Sequence, residues 1–217
     1  MIEKVIIIGA GGHGRSVLNA FRDANKSKKQ RHILGFVDDN KELHGKIICD
    51  VPVLGGFDWF DINKQDDLYV INAIAAPRVK KEIIDRAYER NLKFCSLIHP
   101  SVWKSDYVEI GEGTFIAAGN ILTTYIKIGD HVIINLSCTI GHDSIIEGFC
   151  TIAPGVHVSG NVHIKEGSDI GAGSVILQGR SIGPWSIVGA GSVVHKNVPP
   201  SSTAAGVPAK VIKGIKK

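Results

Sequence analysis

The chain contains few cysteines and no long apolar run near its start. It has four cysteines in 217 residues, and no two of them have the C-x-x-C spacing of a redox or zinc motif. A chain of this length can bury a core without disulfides, so we expect reduced thiols and a cytoplasmic location. The apolar run before Gly9 spans only Val5–Ile8. Because a signal peptide or a membrane span needs a longer run, we expect no contact with a membrane.

Charge and metal-binding residues are also sparse. The formal net charge is +4, from 25 Lys and Arg against 21 Asp and Glu. The basic cluster near the end consists of Lys210, Lys213, Lys216 and Lys217. That cluster is too short to indicate nucleic-acid binding, so we expect no nucleic acid among the partners. No group of His, Cys or carboxylate residues has the spacing of metal ligands, and we predict no metal site.

A strict six-residue repeat fills the second half of the sequence. From residue 110 to residue 194, every sixth residue is Ile, Leu or Val. The series is Ile110, Ile116, Leu122, Ile128, Ile134, Ile140, Ile146, Ile152, Val158, Ile164, Ile170, Ile176, Ile182, Val188 and Val194. A small residue often follows the aliphatic one, and Ser, Thr, Val or Cys often stands four positions after it. This period fits neither an α-helix nor an alternating strand, but it fits a coil of three short strands whose aliphatic side chains point inward.

The repeat resembles that of the hexapeptide-repeat acyltransferases over roughly residues 98 to 212. The resemblance implies a left-handed parallel β-helix domain at residues 98–217, including a C-terminal tail. The handedness follows from the resemblance alone, because ordinary parallel crossovers are right-handed. The alternative is a solenoid scaffold without activity, but a scaffold has no reason to carry the motifs described below.

Residues 1–97 show the pattern of a Rossmann-like βαβ domain. Apolar segments predict strands at 5–8, 33–37 and 68–74, and helices are predicted at 16–21 and 80–90. Gly9, Gly11 and Gly14 have the G-x-G-x-x-G spacing of a turn that brings backbone N–H groups to a phosphate. About 95 residues are too few for a full dinucleotide fold with a substrate domain, so we predict a half-size fold that binds one nucleoside diphosphate.

The two halves together, with Gly-Gly-His-Gly after the first strand and the hexapeptide repeat behind it, resemble one enzyme family over nearly the whole chain. This family contains sialic acid O-acetyltransferases and N-acetyltransferases of UDP- or dTDP-linked 4-amino-4,6-dideoxy sugars. The resemblance implies that Asp38 and Asp39 bind the base or ribose, and that Gly11, Gly12 and His13 lie near the diphosphate. It also implies acetyl-CoA as co-substrate and a homotrimer, in which flat faces of the β-helix pack around a threefold axis.

The segment from Asn135 to Asp143 resembles the catalytic segment of this family, in which an Asn stands seven residues before a His that an acid follows. The resemblance implies that His142, at an outward-facing repeat position, is the general base of acetyl transfer. Asp143 would orient or polarise the imidazole, and Asn135 would hold the sugar or the base. For the other histidines we expect surface or structural roles. They are His32, His44, His99, His131, His157, His163 and His195.

Coenzyme A would lie along an edge of the coils, where small residues admit its pantetheine arm. Gly160, Ala172 and Ala190 recur near the spacing of one coil, so we expect them to stack along one edge. A backbone N–H, for instance that of Gly160, would stabilise the oxyanion. The segment from Ala205 to Lys210 resembles the terminal motif of acyltransferases, which implies that Lys210 reaches the phosphates of the coenzyme. Capping of the coil is the alternative role of this segment.

The chain departs from the family pattern at two points. It reads Ala-Ile-Ala-Ala-Pro at residues 73–77, where the family often has Gly after the third strand. A second family histidine often follows the first by nine residues, and this chain has Thr151 there. Cys138 and Cys150 lie near His142 along the β-helix, but their inward-facing positions favour packing over a nucleophilic role.

The sequence therefore predicts an acetyl-CoA-dependent N-acetyltransferase of the 4-amino group of a UDP- or dTDP-linked 4-amino-4,6-dideoxy sugar, acting by direct transfer. The alternative enzyme is an O-acetyltransferase of sialic acid or a similar sugar, which would use the same base. A third hypothesis is a non-catalytic protein that binds nucleotide sugars on this fold. The acid pair at residues 38 and 39 favours a nucleotide-linked substrate.

Overall fold

The first part of the chain folds into a six-stranded sheet with helices on both sides. The computed structural model describes residues 3–26, 31–63 and 67–214. The strands of this sheet are β1 (Glu3–Ile8), β2 (Arg31–Val37), β3 (Ile47–Ile48), β4 (Val51–Gly55), β5 (Leu68–Asn72) and β6 (Lys93–Phe94). The helices are α1 (Gly12–Asn25), α2 (Trp59–Ile62) and α3 (Pro77–Tyr88), with a 3-10 turn at Lys41–Leu43. The order across the sheet is β3-β4-β2-β1-β5-β6, in which β3 runs antiparallel to β4 and the other pairs are parallel.

Strand β1 lies at the centre of this sheet and is buried on both faces. Val5 and Ile7 belong to the same core cluster as Phe21 of α1. Ile6 belongs to a second cluster with Ile84 of α3. Such a strand reads as a continuous apolar run because helices cover both of its faces. The predicted Rossmann-like βαβ arrangement is confirmed.

The predicted elements differ from the observed ones mainly at their ends. The third predicted strand, β5, ends at Asn72, and the chain then turns towards α3. Helix α3 begins at Pro77 rather than at residue 80. Proline suits the first position of a helix, because its fixed φ is already helical and its missing N–H leaves no hydrogen bond unmade.

From Leu97 onwards the chain winds into a left-handed parallel β-helix with three faces, as predicted. The first face contains β7 (Leu97–Ile98), β10 (Phe115–Ile116), β13 (Ile133–Ile134), β16 (Thr151–Ile152), β19 (Asp169–Ile170), β22 (Ile187–Val188), β24 (Ser202–Gly206) and β25 (Ala209–Gly214). The second face contains β8 (Trp103–Lys104), β11 (Ile121–Leu122), β14 (Thr139–Ile140), β17 (His157–Val158), β20 (Val175–Ile176) and β23 (Val193–Val194). The third face contains β9 (Val108–Ile110), β12 (Ile126–Ile128), β15 (Ile145–Ile146), β18 (His163–Ile164) and β21 (Ser181–Ile182). We call the bends that follow first-, second- and third-face strands the first, second and third corners.

The six-residue ladder forms the interior of the β-helix. All of its residues except the half-buried Ile110 are buried. Residues four positions further on also point inward, and their hydroxyl groups bond to backbone. Ser168 Oγ, for example, donates to the carbonyl oxygen of Gly183 at 3.0 Å. These bonds satisfy backbone groups that no water can reach.

The sheet domain covers the first face of the β-helix. Phe115 and Ile133, which point outward from this face, belong to the core cluster of α1. Helix α3 follows the third corner, where His131 and Phe149 stand one coil apart, both with left-handed φ angles of 56° and 60°. Tyr88 Oη lies 2.7 Å from His131 Nε2 at this contact. One continuous set of contacts therefore fixes the sheet domain on the β-helix.

An antiparallel hairpin of β24 and β25 closes the end of the first face. Its turn contains a cis peptide bond between Val207 and Pro208. Ala204 is buried and Ala209 packs on the interior cluster, so the hairpin caps the core, as the alternative for this segment predicted. Lys216 and Lys217 of the basic cluster lie outside the described residues. In the described ranges, no helix has both the length and the apolar character that a membrane crossing requires.

Candidate active site

His142 and Asp143 lie at the second corner, in the bend after β14. The left-handed φ of 57° at Asp143 turns the chain so that two side chains which a strand would point apart come together. His142 Nδ1 lies 2.7 Å from Asp143 Oδ2, and both side chains are about half exposed. When Nδ1–H donates to the carboxylate, Nε2 keeps its lone pair and can accept a proton from a substrate.

Gly160 lies one coil after His142 and gives the imidazole its room. A Cβ atom built on Gly160 would lie 2.5 Å from His142 Nε2. Any side chain at this position would therefore displace the ring. The N–H group of Gly160 donates no hydrogen bond to the part of the chain that the structure describes.

The small residues predicted to line one edge lie on two different edges. Gly160 follows the second-face strand β17, whereas Ala172 and Ala190 follow the first-face strands β19 and β22. The expectation that all three stack was wrong, because equal positions in the repeat recur on each of three corners and only every third repeat returns to the same corner. Ala172 and Ala190 do stack, since Gly191 N donates to the carbonyl oxygen of Ala172 at 2.8 Å.

The first corner also carries Asn135, and Lys210 lies in the hairpin that closes the first face. Asn135 follows β13, and its Oδ1 accepts a hydrogen bond from Leu136 N at 2.8 Å. A cavity of about 210 Å³ separates this corner from α1 and is lined by Ser16 and Asn19 as well as Asn135. Lys210 is exposed on β25, paired with Ala205 of β24. Within the chain, His142 and Asn135 therefore stand at opposite edges of the second face.

The glycines after β1 form a tight turn at the start of α1. Gly9 has a φ of 103°, and a Cβ atom on Gly14 would collide with the carbonyl oxygen of Gly9. Gly11 and Gly12 are exposed, and the start of α1 has no side-chain cap among the described residues. The first N–H groups of a helix are electropositive and unpaired, so this turn suits an anion such as a phosphate.

A cavity of about 240 Å³ lies beside this turn, at the carboxyl ends of β1 and β2. Its lining consists of Ile8, Gly9, Val37, Asp38, Asp39, Phe57, Ile74, Val79 and Ile83. Ligands of open α/β sheets bind at this edge, and an apolar slot with polar groups at its rim suits a flat base. Ile74, from the segment where the family often has glycine, stands against Gly9, with its Cδ1 2.8 Å from where a Cβ on Gly9 would lie.

Both acids of the predicted pair have protein partners at this cavity. Asp38 Oδ2 accepts from Ala10 N at 2.8 Å and so braces the glycine turn. Asp39 Oδ2 accepts from Arg86 Nη1 at 2.8 Å, and this guanidinium lowers the pKa of the Asp39 carboxyl. Arg86 also lies over the ring of Phe57, 4.2 Å from its centroid. Sequence reasoning did not identify Arg86, which holds Asp39 at the rim.

Several of the other histidines and cysteines have structural contacts, whereas His32 and Cys49 are exposed. His131 is buried, which lowers its pKa to about 4, and His163 Nε2 lies 2.6 Å from Glu147 Oε1. His44 is half-buried and contacts the Asp38 carbonyl, although we expected it at the surface. Cys138 and Cys150 are fully buried, and burial raises the pKa of Cys150 to about 12, which disfavours a nucleophilic thiolate. Over the described ranges, no three His, Cys, Asp or Glu residues are grouped to hold a metal ion.

Known proteins resemble the chain over nearly its full length. Residues 4–87 match the family model of the PglD N-terminal domain, and no curated protein sequence matches the chain. PerB from Caulobacter crescentus, solved with CoA and GDP-perosamine, is 30% identical with a TM-score of 0.90, and 98% of this chain and 99% of that chain are covered. The acetyltransferase domain of PglB from Neisseria gonorrhoeae, solved with acetyl coenzyme A, is 29% identical with a TM-score of 0.88, at 98% and 100% coverage. WeeI from Acinetobacter baumannii is 30% identical with a TM-score of 0.86, at 96% and 99% coverage.

The chain belongs to the hexapeptide-repeat N-acetyltransferases of nucleotide-linked sugars. This confirms the family, the fold and the class of enzyme that the sequence predicted. The roles of individual residues in this N-acetyltransferase, His142 and Asp143 among them, stay predictions.

The N-acetyltransferase also contains a buried polar cluster that sequence reasoning missed. Lys80 of α3 is 1% exposed and donates to the carbonyl oxygen of Cys150 and to Thr151 Oγ1, both at 2.9 Å. Thr151 Oγ1 in turn donates to the carbonyl oxygen of Ala75 at 2.6 Å. Burial lowers the pKa of Lys80 to about 7. His13 lies nearby, and its buried Nε2 has no hydrogen-bond partner among the described residues.

The spacing of the apolar residues in α3 could have predicted that Lys80 is buried. The buried residues of this helix are Pro77, Lys80, Ile84 and Ala87. Steps of three and four residues mark one face of a helix, so Lys80 stands on the same stripe as Ile84 and Ala87. Ile83 packs against the core cluster of Ile84 and Ala87 and also lines the cavity beside the glycine turn.

Proposed function

We propose that this enzyme transfers the acetyl group of acetyl-CoA to the 4-amino group of a nucleotide-linked 4-amino-4,6-dideoxy sugar. The observation that carries the proposal is the half-exposed pair of His142 and Asp143 beside Gly160, on a β-helix whose attached sheet domain has a cavity suited to a nucleotide. The relatives support both substrates, since one was solved with acetyl coenzyme A and another with CoA and GDP-perosamine. We take acetyl-CoA as the co-substrate and propose no metal.

The reaction needs one group that accepts a proton from the amine and one group that donates a hydrogen bond to the oxyanion of the tetrahedral intermediate. The amine nitrogen attacks the thioester carbonyl, and His142 Nε2 takes the proton that this nitrogen loses. Asp143 holds the imidazole through Nδ1 and stabilises the imidazolium that forms. The N–H of Gly160 is our candidate donor to the oxyanion. When the tetrahedral intermediate collapses, the sulfur of coenzyme A leaves as a thiolate and receives the proton from His142.

We propose that the complete site forms between two subunits of a homotrimer. The sheet domain covers the early coils of the first face, where Phe115 and Ile133 are buried. The outward residues of the third face are mostly polar, as at Glu109 and Lys127, with Ile145 as an exposed apolar exception. The second face instead exposes Trp103 and Ile121. Packing of second faces around a threefold axis would bury this apolar surface. It would also bring the second corner of one subunit to the first corner of the next.

This arrangement would unite the residues that a single subunit separates. His142, Asp143 and Gly160 would come from one subunit, and Asn135, Ala172, Ala190 and Lys210 from its neighbour. The nucleotide turn, with Gly11, Gly12 and His13, starts α1, which flanks the same first corner. We propose that the sugar and the coenzyme meet His142 in this cleft, with the base in the cavity beside Asp38 and Asp39.

The nucleotide of the acceptor belongs to one of three classes, UDP, dTDP or GDP. The sequence favoured UDP or dTDP, and the Caulobacter relative extends the choice to GDP. The alternative acceptor, free sialic acid, has no use for the cavity beside the glycine turn, so the cavity favours a nucleotide-linked acceptor. A cytoplasmic location stays a prediction from the cysteine pattern.

The deciding experiment measures thiol release from acetyl-CoA with a panel of acceptors. The panel contains UDP-, dTDP- and GDP-linked 4-amino-4,6-dideoxy sugars and sialic acid. We expect turnover on one nucleotide-linked amine and a loss of roughly a hundredfold or more in His142→Asn. The matched control is His32→Asn, an exposed histidine of the sheet domain, which should keep full activity. Turnover on sialic acid alone, or full activity in His142→Asn, would overturn the proposal.

The shared site has its own test. His142→Asn and Asn135→Ala are expected to be inactive alone, because each removes one side of every cleft. Co-expressed chains that mix at random should recover about a quarter of the clefts, since a cleft with both intact residues needs one chain of each kind in the right order. No recovery in mixed trimers, or a monomer in light scattering, would contradict a site between subunits.

A further inference from the structure

The ammonium group of Lys80 is buried without an anionic partner. Its two hydrogen-bond acceptors, the carbonyl of Cys150 and the hydroxyl of Thr151, are both neutral. No carboxylate of the described residues lies within ion-pair distance of it. Buried charges are normally paired, because an unpaired one loses its hydration without compensation. Such a lysine either gives up its proton or is stabilised by an anion from outside the chain.

The groups around Lys80 do not supply that anion. His13 of α1 and His131 of the third corner both have lowered pKa values and are neutral at pH 7. Cys150 keeps its proton, because burial raises the pKa of its thiol to about 12. Asp169, one coil after Thr151, is the acid whose charge acts on Lys80, and burial raises the pKa of its carboxyl, but no ion pair joins the two side chains. Asp85 of α3 is paired with Lys81 at 2.8 Å instead.

Lys80 lies directly behind the proposed nucleotide site. Its neighbour Val79 lines the cavity beside the glycine turn, while the ammonium bonds to Cys150 and Thr151 of the β-helix, so one turn of α3 contacts both the cavity and the lysine's partners. A helix with its side chains is about 10–12 Å across. Lys80 is also close enough to His13, two residues after Gly11, for its charge to lower the pKa of that imidazole. Thr151 links it to Ala75 in the turn between β5 and α3.

We propose that Lys80 is a positioning residue of the acceptor site: its charge, behind the phosphate turn, stabilises the diphosphate of the bound nucleotide-linked sugar, and Lys80 takes up a proton when that diphosphate binds. This inference rests on the proposed function. Two phosphate charges at this distance favour the protonated lysine. If one phosphate charge lies about 10 Å from the ammonium in an effective dielectric constant of about 20, it favours protonation of Lys80 roughly tenfold.

The effect has a definite sign and pH range. The free enzyme holds Lys80 with a pKa of about 7, so part of it is neutral at pH 7.5. A bound dianion raises this pKa, so the protonated share of Lys80 at pH 7.5 rises from about a quarter to nearly all. Binding therefore consumes about 0.7 proton per site at pH 7.5 and weakens as the pH rises towards 9. A purely structural lysine would show neither proton uptake nor a pH-dependent affinity.

Calorimetric titration in two buffers of different ionisation enthalpy measures the proton uptake. The probes are UDP-glucose, dTDP-glucose and GDP-mannose, whose diphosphates are diesters without a group that titrates near neutrality. We expect uptake in the wild type and in the matched control Lys81→Met, whose lysine lies at the surface of α3. In Lys80→Met the uptake should vanish, and affinity at pH 6.5 should fall roughly a hundredfold, about tenfold for each phosphate charge.

Lys80→Arg separates charge from packing. Because its guanidinium stays protonated, this variant should bind at pH 9 as tightly as at pH 6.5, without proton uptake. Circular dichroism and light scattering check that each variant keeps its fold and assembly. Binding of a nucleotide sugar by the wild type without proton uptake would overturn this inference and leave the proposed function intact, even if no variant folds. No binding of any probe, together with no turnover on the amine panel, would overturn both.

Discussion

The interior of the β-helix and the contact surface between the β-helix and the sheet domain are both buried, but they are built differently. In the interior, one aliphatic residue recurs every six, and Ile164 and Val188 are each 0% exposed. Its polar residues bond to backbone within the coils. The contact surface instead buries Lys80 and His131, whose partners come from elements far away in sequence.

This difference separates two sources of stability. The interior depends on a local rule that repeats, so each coil supports the next one. The contact surface depends on single pairs of residues, and a buried polar group without its partner costs free energy. We therefore expect substitutions in the interior to act on stability alone, substitutions at the corners to act on activity, and substitutions at the contact surface to act on stability or on its pH dependence.

The largest effect is expected in the interior. Ile164→Ala removes a fully buried side chain from the middle of the ladder and leaves a cavity between neighbouring coils. The free energy of unfolding should fall by about 3–4 kcal/mol. Urea denaturation followed by circular dichroism measures it. The control is Ile145→Ala on the same face, where the side chain is 40% exposed and the loss should stay below about 1 kcal/mol. Equal losses would contradict the role of the ladder.

Gly160→Ala tests the second corner and should affect activity rather than stability. Its Cβ atom would lie 2.5 Å from His142 Nε2, so the imidazole must move away from the cleft. We expect kcat/KM to fall about a hundredfold, which corresponds to roughly 3 kcal/mol. The control is Gly148→Ala, at the same repeat position of the third corner, where a Cβ atom would meet the carbonyl oxygen of Asp130 at 3.2 Å. Equal activity in both variants would show that His142 does not need this space.

The sequence could predict the repeating interior, but not the single pairs at the corners and at the contact surface. The ladder predicted the coils, because six-residue spacing is a local property and the structure repeats it on three faces. The prediction that Gly160 stacks with Ala172 along one edge was wrong, since the six-residue repeat alone does not tell which of the three corners a residue occupies. The pairing of His142 with Asp143 depended on a left-handed turn that strand geometry would not suggest. Arg86 and Lys80 act through tertiary contacts, which no local pattern specifies.

The pH dependence of stability should distinguish Lys80 from the interior. Its pKa is about 7 in the folded chain and 10.5 ordinarily, so the folded state binds fewer protons between these values. Stability should therefore rise with pH in this window, by about 2–3 kcal/mol from pH 7 to pH 9.5. In Lys80→Met the rise should disappear, and in Lys81→Met it should persist. Urea denaturation at several pH values measures it, and a wild type with flat stability would contradict an uncompensated lysine.

The smallest effect is expected from Tyr88→Phe, which keeps the ring and removes one hydroxyl group at the third corner. That hydroxyl lies 2.7 Å from His131 Nε2 and donates to Glu112 Oε1 at 3.1 Å. His131 Nδ1 is buried without a partner among the described residues, so the variant leaves both ring nitrogens unpaired. We expect a loss of about 1–2 kcal/mol in the free energy of unfolding.

The control for this hydroxyl is Tyr107→Phe, since Tyr107 stacks on Tyr125 at the second corner and is 62% exposed. The free energy of unfolding of this control variant should differ from that of the wild type by no more than about 0.5 kcal/mol. If Tyr88→Phe costs no more than this control, ring packing alone joins α3 to the β-helix there. If the cost is larger, the hydrogen bond of a single pair stabilises the contact surface, which the repeating interior never requires.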